Sequence, residues 1–274
     1  MLERFSPSTR EWFTGAFAAP TTAQIGAWQA VSEGDHALVV APTGSGKTLA
    51  AFLWALDRLA AAPVPEQLQR RCRVLYVSPL KALAVDVERN LRAPLAGIRQ
   101  AATRLGLPVP QVRVAVRSGD TPAEERRAFT RTPPDVLITT PESLFLLLTS
   151  QARSALAGIE TVIIDEVHAL AGSKRGAHLS LSLERLDALL DSPAQRVGLS
   201  ATVRPVQDVA GWLGGSAHHR VRIVQPPSSK EFDLRVVVPV PDLADLDVMA
   251  APGTPAPGRA AEPEPDLSGP AAGA

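Results

Sequence analysis

Short apolar runs alternate with longer helical patterns along most of the chain. Seven such runs, rich in Val, Ile and Leu, lie between residues 36–40 at one end and residues 220–224 at the other. Apolar strands that are separated by helices are typical of a parallel sheet that is covered on both faces. The pattern therefore predicts an α/β fold with a mostly parallel sheet and helices on both faces.

Two segments have helical periodicity, and a third has no period at all. Residues 48–61 are apolar almost all round, which indicates a helix packed between the sheet and a neighbour. Residues 177–190 place four leucines on one face, which predicts a surface helix: Leu179, Leu183, Leu186 and Leu190. From about residue 240 the chain is mostly Ala, Pro and Gly, so we expect an ordered domain over residues 1–235 and a disordered tail or linker over residues 236–274.

Composition narrows the classes of function. Of the 274 residues, 28 are Lys or Arg and 28 are Asp or Glu, so a nucleic-acid site would have to be a local patch. The single Cys72 excludes an internal disulfide, and His218 with His219 lacks the further ligands of a metal site. The start has no secretory signal and the apolar runs are too short for a bilayer, so we expect a cytoplasmic protein without a membrane partner.

A phosphate-binding loop is the strongest local motif. Residues 41–48, "APTGSGKT", follow a predicted strand and precede a predicted helix; only Ala41 departs from the usual pattern. Backbone N–H groups at the helix start would surround phosphate oxygens, with Lys47 on the β- and γ-phosphates and Thr48 on Mg²⁺. The binding residues would be Thr43, Gly44, Ser45, Gly46, Lys47 and Thr48. A turn that only connects strand and helix is the alternative.

Two acids end the buried strand "TVII" at residues 161–164. In an open α/β sheet this end faces the nucleotide, so Asp165 could hold the water shell of Mg²⁺ and Glu166 could orient the attacking water. Acids at strand ends are common, but the phosphate loop upstream favours the catalytic interpretation. His168 could report the γ-phosphate state or be structural.

Three further strands end in a hydroxyl residue that proline follows. Each pair predicts an N-cap and a first helical position: Ser78 with Pro79, Thr121 with Pro122, and Thr140 with Pro141, where Thr121 and Glu124 would also form a capping box. Helix N-termini along one edge of a sheet can track a nucleic-acid backbone. Basic residues in the first turns would help, namely Lys81, Arg126 and Arg127. Simple caps and a solvated helix face remain the alternative.

The ordered set of motifs is more specific than any member. Gln24 in "PTTAQIGAW" is followed by "APTGSGKT", "SPLKALAVDVERNL", "SGDTPAEERR", "TTPESL", "DEVH" and "SAT". Over residues 5–225 the chain resembles the first RecA-like P-loop NTPase domain of superfamily two helicases of the DEAD/DEAH-box type. The amino-acid sequence around these motifs is similar to that of the large helicase-related (Lhr) group.

The resemblance implies an ATP- and Mg²⁺-dependent helicase that tracks nucleic acid, single-stranded DNA rather than RNA, from 3′ to 5′, with DNA repair as a context. Gln24 would read the adenine edge, and Phe13 or Phe17 would stack on the base. His168, Ser200 and Thr202 would couple hydrolysis to movement. The contacts to a single strand would come from Pro79, Lys81, Ser118, Gly119, Thr140 and Pro141.

The resemblance also implies a second RecA-like domain that supplies arginine fingers. Nothing after residue 225 resembles it, which suggests an N-terminal piece or a truncated product whose second domain acts in cis or in trans. Because an arginine finger contributes about 10³- to 10⁵-fold in rate, we expect ATP binding with negligible turnover by this chain. A nucleotide-dependent nucleic-acid binding module is the alternative. The helix caps and the "SAT" segment disfavour a metabolic kinase or transport ATPase.

Overall fold

A computed structural model describes residues 1–217 and 219–227 of the chain. In this part, seven strands form one sheet: β1 His36–Val40, β2 Val74–Val77, β3 Val114–Arg117, β4 Val136–Thr139, β5 Thr161–Ile164, β6 Gln195–Ser200 and β7 Val221–Val224. Their order across the sheet is β3, β4, β2, β5, β6, β1, β7, and every neighbouring pair is parallel. The predicted parallel sheet is confirmed.

The described residues form nine α-helices: α1 Pro7–Ala16, α2 Thr22–Ser32, α3 Lys47–Ala61, α4 Lys81–Arg104, α5 Ala123–Arg131, α6 Pro141–Leu148, α7 Val167–Leu170, α8 Lys174–Asp187 and α9 Val206–Gly214. Three short 3₁₀ helices cover Leu2–Arg4, Leu68–Arg70 and Gln151–Leu156. Within the same residues, no helix combines the length and the apolar character that a membrane crossing requires.

Apolar side chains pack on both faces of the sheet. On one face, residues of α2, α3 and α4 join strand residues such as Tyr76 in a single core. On the other face, residues of α6 to α9 form a second core with strand residues such as Leu75. This arrangement follows from the alternation of side chains along each strand, and it confirms the predicted helices on both faces.

The two helical predictions are confirmed except at one position. In α3 every side chain is buried or partly buried except those of Arg58 and the last residue, Ala61. Leu179, Leu183 and Leu186 of α8 are buried as predicted. Leu190 lies beyond the end of α8 at Asp187 and is only partly buried, so including it in the helical face was wrong.

Because all strands run the same way, their carboxyl ends meet at one edge of the sheet, which we call the carboxyl edge. The phosphate loop follows β1, and the two acids follow β5, two strands away. The ends of β2, β4 and β3 continue along the same edge. The predicted tail over residues 236–274, the boundary at residue 235 and His218 all lie outside the described residues.

Candidate nucleotide site and nucleic-acid face

The phosphate loop joins β1 to α3 through two glycines in left-handed conformations. Gly44 has φ of 83° and Gly46, directly before α3, has φ of 78°. A Cβ atom at Gly46 would also lie 2.5 Å from Nε2 of Gln24. No side chain caps the start of α3. Its first N–H groups therefore lie open toward the cleft, the arrangement that binds phosphate at a helix N-terminus.

Lys47 and Ser45 bring a cation and a free hydroxyl to this loop. Nζ of Lys47 donates to the carbonyl oxygens of Ala41 at 2.6 Å and Pro42 at 3.0 Å. Burial lowers the pKa of the Lys47 amine, while the charges of Glu166 and Asp165 oppose that shift. Oγ of Ser45 is sealed from solvent and has no hydrogen-bond partner in the described part of the chain. Such a hydroxyl can donate a hydrogen bond to a phosphate oxygen.

The two acids are held in a strained turn after β5. Glu166 has φ of 46° and ψ of 46°, a left-handed conformation that is rare for a residue other than glycine and is often found at functional sites. Oδ1 of Asp165 accepts the N–H of Glu166 at 2.9 Å. Oε2 of Glu166 is shielded and has no hydrogen bond of good geometry within the described residues. Glu166 also lines the cleft that contains the phosphate loop.

Oδ2 of Asp165 accepts a hydrogen bond from the hydroxyl of Tyr76 on β2. Burial, and next the negative charge of Asp165, raise the pKa of Tyr76 above its ordinary range. Tyr76 therefore stays protonated and acts as the donor.

His168 connects the acids to the end of β6. Its Nδ1 lies 3.2 Å from Oε2 of Glu166 and 3.1 Å from Oγ of Ser200. Only the contact with Ser200 has hydrogen-bond geometry, so His168 is hydrogen-bonded to Ser200 and lies beside Glu166 without a hydrogen bond to it. Oγ of Ser200 in turn donates to the carbonyl oxygen of Thr202 at 3.3 Å. The structure thus brings the three predicted coupling residues into one chain of contacts.

One cleft of about 600 Å³ contains the loop and both acids. Phe17 lines the cleft and is 43% exposed, whereas Phe13 is 1% exposed and belongs to the core below α1. Of the two aromatic candidates, only Phe17 is positioned to meet a base. Sequence reasoning missed Trp12 and the wall that α4 contributes, including Asp86 and Asn90. Their spacing of four residues on a helix was the available signal.

Gln24 lines the cleft, but its amide is bonded within the protein. Oε1 accepts the N–H of Thr21 at 2.9 Å, and the N–H of Gln24 donates to Oγ1 of Thr21 at 3.2 Å, which forms a capping box at the start of α2. Nε2 donates to the carbonyl oxygen of Gly46 at 3.5 Å. Gln24 therefore ties α2 to the phosphate loop. The spacing T-x-x-Q was a sequence signal for this box, which our sequence analysis missed.

Two of the three predicted helix caps are wrong. Thr140 does cap α6, since its Oγ1 accepts the N–H of Ser143 at 3.3 Å. Ser78 instead donates to the carbonyl oxygen of Leu80 at 3.0 Å, and α4 begins only at Lys81. Thr121 accepts the N–H of Ser118 at 2.9 Å, and it forms no capping box with Glu124. Short hydroxyl side chains close local turns as readily as they cap helices.

The predicted nucleic-acid residues lie along the ends of β2, β4 and β3, which we call the rim. Lys81 and Gly119 are exposed and Ser118 is partly buried, whereas Pro79, Thr140 and Pro141 are buried. Lys81 pairs with Asp120 at 2.7 Å. Arg126 donates to the carbonyl oxygens of Gly119 and Thr121, each at 2.7 Å, and Arg127 is exposed. The rim is continuous, but most of its polar groups already have partners.

The residues of the cleft fit a nucleoside triphosphate with Mg²⁺. Mg²⁺ prefers oxygen ligands and is usually held by one or two carboxylates together with phosphates and water. Thr48, which has a hydroxyl, and Asp165, which has a carboxylate, both line the cleft. In the part of the chain that the structure describes, no three His, Cys, Asp or Glu side chains form a metal cage. A cation here would depend on the phosphates of a nucleotide.

Comparison with known proteins decides the family. Residues 21–209 match the model of the DEAD/DEAH box helicase family. The chain belongs to this family. Mss116, a DEAD-box helicase solved with single-stranded RNA and UDP-BeF, has the same fold with a TM-score of 0.65 at 18% identity, over 80% of this chain and 42% of the Mss116 chain. The predicted RecA-like fold is therefore confirmed.

More similar relatives are Lhr proteins. The chain is 68% identical over 246 residues to the Lhr helicase/probable uracil glycosylase of Mycolicibacterium smegmatis, covering 90% of this chain and 16% of that protein. It is 44% identical over 243 residues to the ATP-dependent helicase Lhr-Core of Methanocaldococcus jannaschii, covering 88% and 28%. The structure of M. smegmatis helicase Lhr bound to ssDNA and AMP-PNP matches with a TM-score of 0.82 at 66% identity, over 90% of this chain and 31% of that one.

These matches confirm the predicted resemblance of this DEAD/DEAH box helicase domain to the Lhr group. The chain spans only 16% to 31% of the length of these Lhr relatives.

Proposed function

We propose that this chain is the ATP-binding half of an ATP-dependent, Lhr-like helicase or translocase. The observation that carries the proposal is the single cleft that holds the phosphate loop, Asp165 and Glu166, with His168 joining it to the end of β6. Coupling between a nucleotide site and a neighbouring strand end is what a motor requires.

The roles of the cleft residues follow from their chemistry. The amides from Gly44 to Thr48 and the side chain of Lys47 bind the phosphates, aided by the hydroxyl of Ser45. Thr48 and Asp165 hold Mg²⁺, which supplies charge neutralisation for the phosphates when it is bound. Glu166 orients and deprotonates the attacking water; in support, it lines the same cleft as the phosphate loop.

Adenine recognition falls to the outer end of the cleft. Phe17 offers an exposed ring for stacking beside the loop. Gln24 holds the loop against α2 through its bonds to Thr21 and Gly46, and its reading of the adenine edge stays a prediction. Thr43 completes the loop wall.

The rim binds the backbone of a single strand. We favour single-stranded DNA over RNA because a 66% identical Lhr structure contains ssDNA, and 3′ to 5′ movement follows the resemblance to that group. Lys81 and the backbone around Ser118 and Gly119 are the accessible contacts. Pro79, Thr140 and Pro141 are buried, and they shape the backbone of the rim. DNA repair and a cytoplasmic location stay predictions.

Turnover requires a second RecA-like domain, in cis or in trans. The chain covers 16% to 31% of its Lhr relatives, which leaves room for such a domain in those proteins. A missing arginine finger lowers the rate by about 10³- to 10⁵-fold. The purified chain should therefore bind ATP and hydrolyse it very slowly.

The test is ATP binding and hydrolysis with Mg²⁺, with and without single-stranded DNA, for the wild type, Lys47→Ala and Glu166→Gln. Lys47→Ala should abolish measurable binding because it removes the phosphate cation, while Glu166→Gln should bind normally. Unchanged affinity in Lys47→Ala would refute the proposal. If the chain binds DNA in a salt-sensitive, nucleotide-dependent way, yet stays inactive when joined to the following region of an Lhr relative, the alternative of a binding module without motor activity is correct.

A further inference from the structure

Tyr76 is a buried tyrosine beneath the two acids. It lies in β2 and is 0% exposed. Its ring stacks on Phe52 of α3, with the ring centroids 5.0 Å apart and the planes 24° from parallel. Packing alone would be satisfied by phenylalanine at this position. The hydroxyl needs a separate explanation, because a buried phenol must find a hydrogen-bond partner.

The partner of that hydroxyl is the candidate Mg²⁺ ligand. Tyr76 donates to Oδ2 of Asp165, while Oδ1 accepts the N–H of Glu166 at 2.9 Å. Each carboxylate oxygen thus has one donor from the protein. The rotation of an aspartate carboxylate about its last bond is otherwise broad, so the two bonds together select one orientation.

The two hydrogen bonds that Asp165 accepts come from different parts of the chain. The bond from Glu166 is local and forms with the left-handed turn itself. The bond from Tyr76 comes from the neighbouring strand and crosses 89 positions of sequence. It ties the orientation of Asp165 to the sheet, and hence to α3, against which the ring of Tyr76 packs.

We propose that Tyr76 is a positioning residue that holds the carboxylate of Asp165 in the orientation that receives Mg²⁺. This inference rests on the proposed nucleotide site. Tyr76 contacts neither phosphate nor metal, and it acts only through Asp165. Loss of a positioning group behind a metal ligand typically weakens metal affinity by about 10- to 100-fold.

The experiment is Tyr76→Phe, which keeps the ring and deletes the hydroxyl. Binding of a fluorescent ATP analogue is titrated in EDTA and again at increasing Mg²⁺. We expect affinity in EDTA to stay within about twofold, and the Mg²⁺ concentration for half-maximal enhancement to rise about tenfold. An unchanged Mg²⁺ midpoint, or an equal loss with and without Mg²⁺, would overturn the inference.

The matched control is Ser182→Ala. Ser182 is also buried, and its hydroxyl donates to the carbonyl oxygen of His178 within α8, away from the cleft. Melting temperatures of both variants separate a loss of packing from a loss of positioning. Ser182→Ala should leave the Mg²⁺ midpoint unchanged. If the midpoint rises equally in Tyr76→Phe and Ser182→Ala, the cause is general destabilisation, and the inference is refuted.

A second measurement works even if Tyr76→Phe does not fold. The chain has one tyrosine, so 3-fluorotyrosine labels position 76 alone. The ¹⁹F signal should move on Asp165→Asn, and it should move when Mg²⁺ is added to the nucleotide-bound chain. A signal that responds to neither would overturn the inference. Failure of Lys47→Ala to weaken binding would instead refute the nucleotide site itself.

Discussion

The two halves of the carboxyl edge use their polar groups in opposite ways. Around the phosphate loop, groups are buried without partners among the described residues: Oγ of Ser45 and Oε2 of Glu166. Along the rim, most polar groups are already bonded to the protein, as Thr140 is to Ser143 and Arg126 is to Gly119, although Nε of Arg117 at the end of β3 is buried without a partner among the described residues. The nucleotide half thus leaves a hydroxyl and a carboxylate oxygen unbonded, whereas most polar groups of the rim are already bonded.

This difference in hydrogen bonding predicts how tightly each half of the edge binds its ligand. Unpaired buried groups cost free energy that a bound nucleotide recovers, its phosphate by accepting from Ser45 and its associated water by donating to Glu166, so the nucleotide half should bind tightly and specifically. The rim offers mainly backbone together with the exposed Lys81 and Arg127. It should bind a strand weakly, with affinity that depends on salt. Substitutions in the two halves should therefore have effects of very different size.

After Lys47→Ala, the largest effect is expected from Gly46→Ala. The left-handed backbone resists a side chain, and the added Cβ would press on the amide of Gln24. We expect nucleotide affinity to fall by about 30-fold or more, since the loop cannot keep its shape. Isothermal titration calorimetry with ATP measures this affinity. Gly211→Ala is the control, because that glycine lies in α9 with open space around it. Equal affinities for both variants would contradict a preformed loop.

Gln24→Glu should have the next largest effect. A glutamate can keep the capping box with Thr21, but it cannot donate to the carbonyl oxygen of Gly46 and it adds a negative charge near the phosphates. We expect the Kd for ATP to rise about tenfold with little change in Tm, in line with loss of a hydrogen bond plus repulsion. Gln29→Glu, on the exposed side of the same helix, should bind normally.

Lys81→Ala tests the rim and should have a smaller effect. Removing one phosphate contact should weaken single-stranded DNA binding a few-fold and lower the salt slope by about 0.7. ATP affinity should not change. Arg92→Ala removes the same charge from α4 outside the rim, where Arg92 pairs with Glu88. Fluorescence anisotropy at several salt concentrations separates the two, and equal salt slopes would mean that Lys81 makes no phosphate contact.

Thr140→Ala should have the smallest effect on ligands. Its hydroxyl caps α6 and is buried, so the cost should appear as about 1 kcal/mol of stability. Single-stranded DNA affinity should stay within about twofold, because what the strand meets here is backbone. Thr140→Ser keeps the cap and should restore the stability in urea denaturation. A large loss of DNA affinity in Thr140→Ala would show that the side chain contacts the strand after all.

The sequence by itself determined the sheet, the phosphate loop and the order of motifs. These follow from local patterns: apolar runs select strands, and the "GSGK" glycines adopt backbone angles that other residues resist. Thr140 was also predictable as a cap, because a cap involves only neighbouring residues. The resemblance to RecA-like helicases depended on the same short-range information.

Only the tertiary structure decided which groups remain free and which are already bonded. That Phe17 lies in the cleft while Phe13 is in the core depends on how α1 packs, and no local pattern distinguishes them. Ser78 and Thr121 have the same local pattern as Thr140, yet they close turns. The bond from Tyr76 to Asp165 joins residues on different strands. Such contacts arise from strand order and packing across the sheet, which residues near in sequence cannot specify.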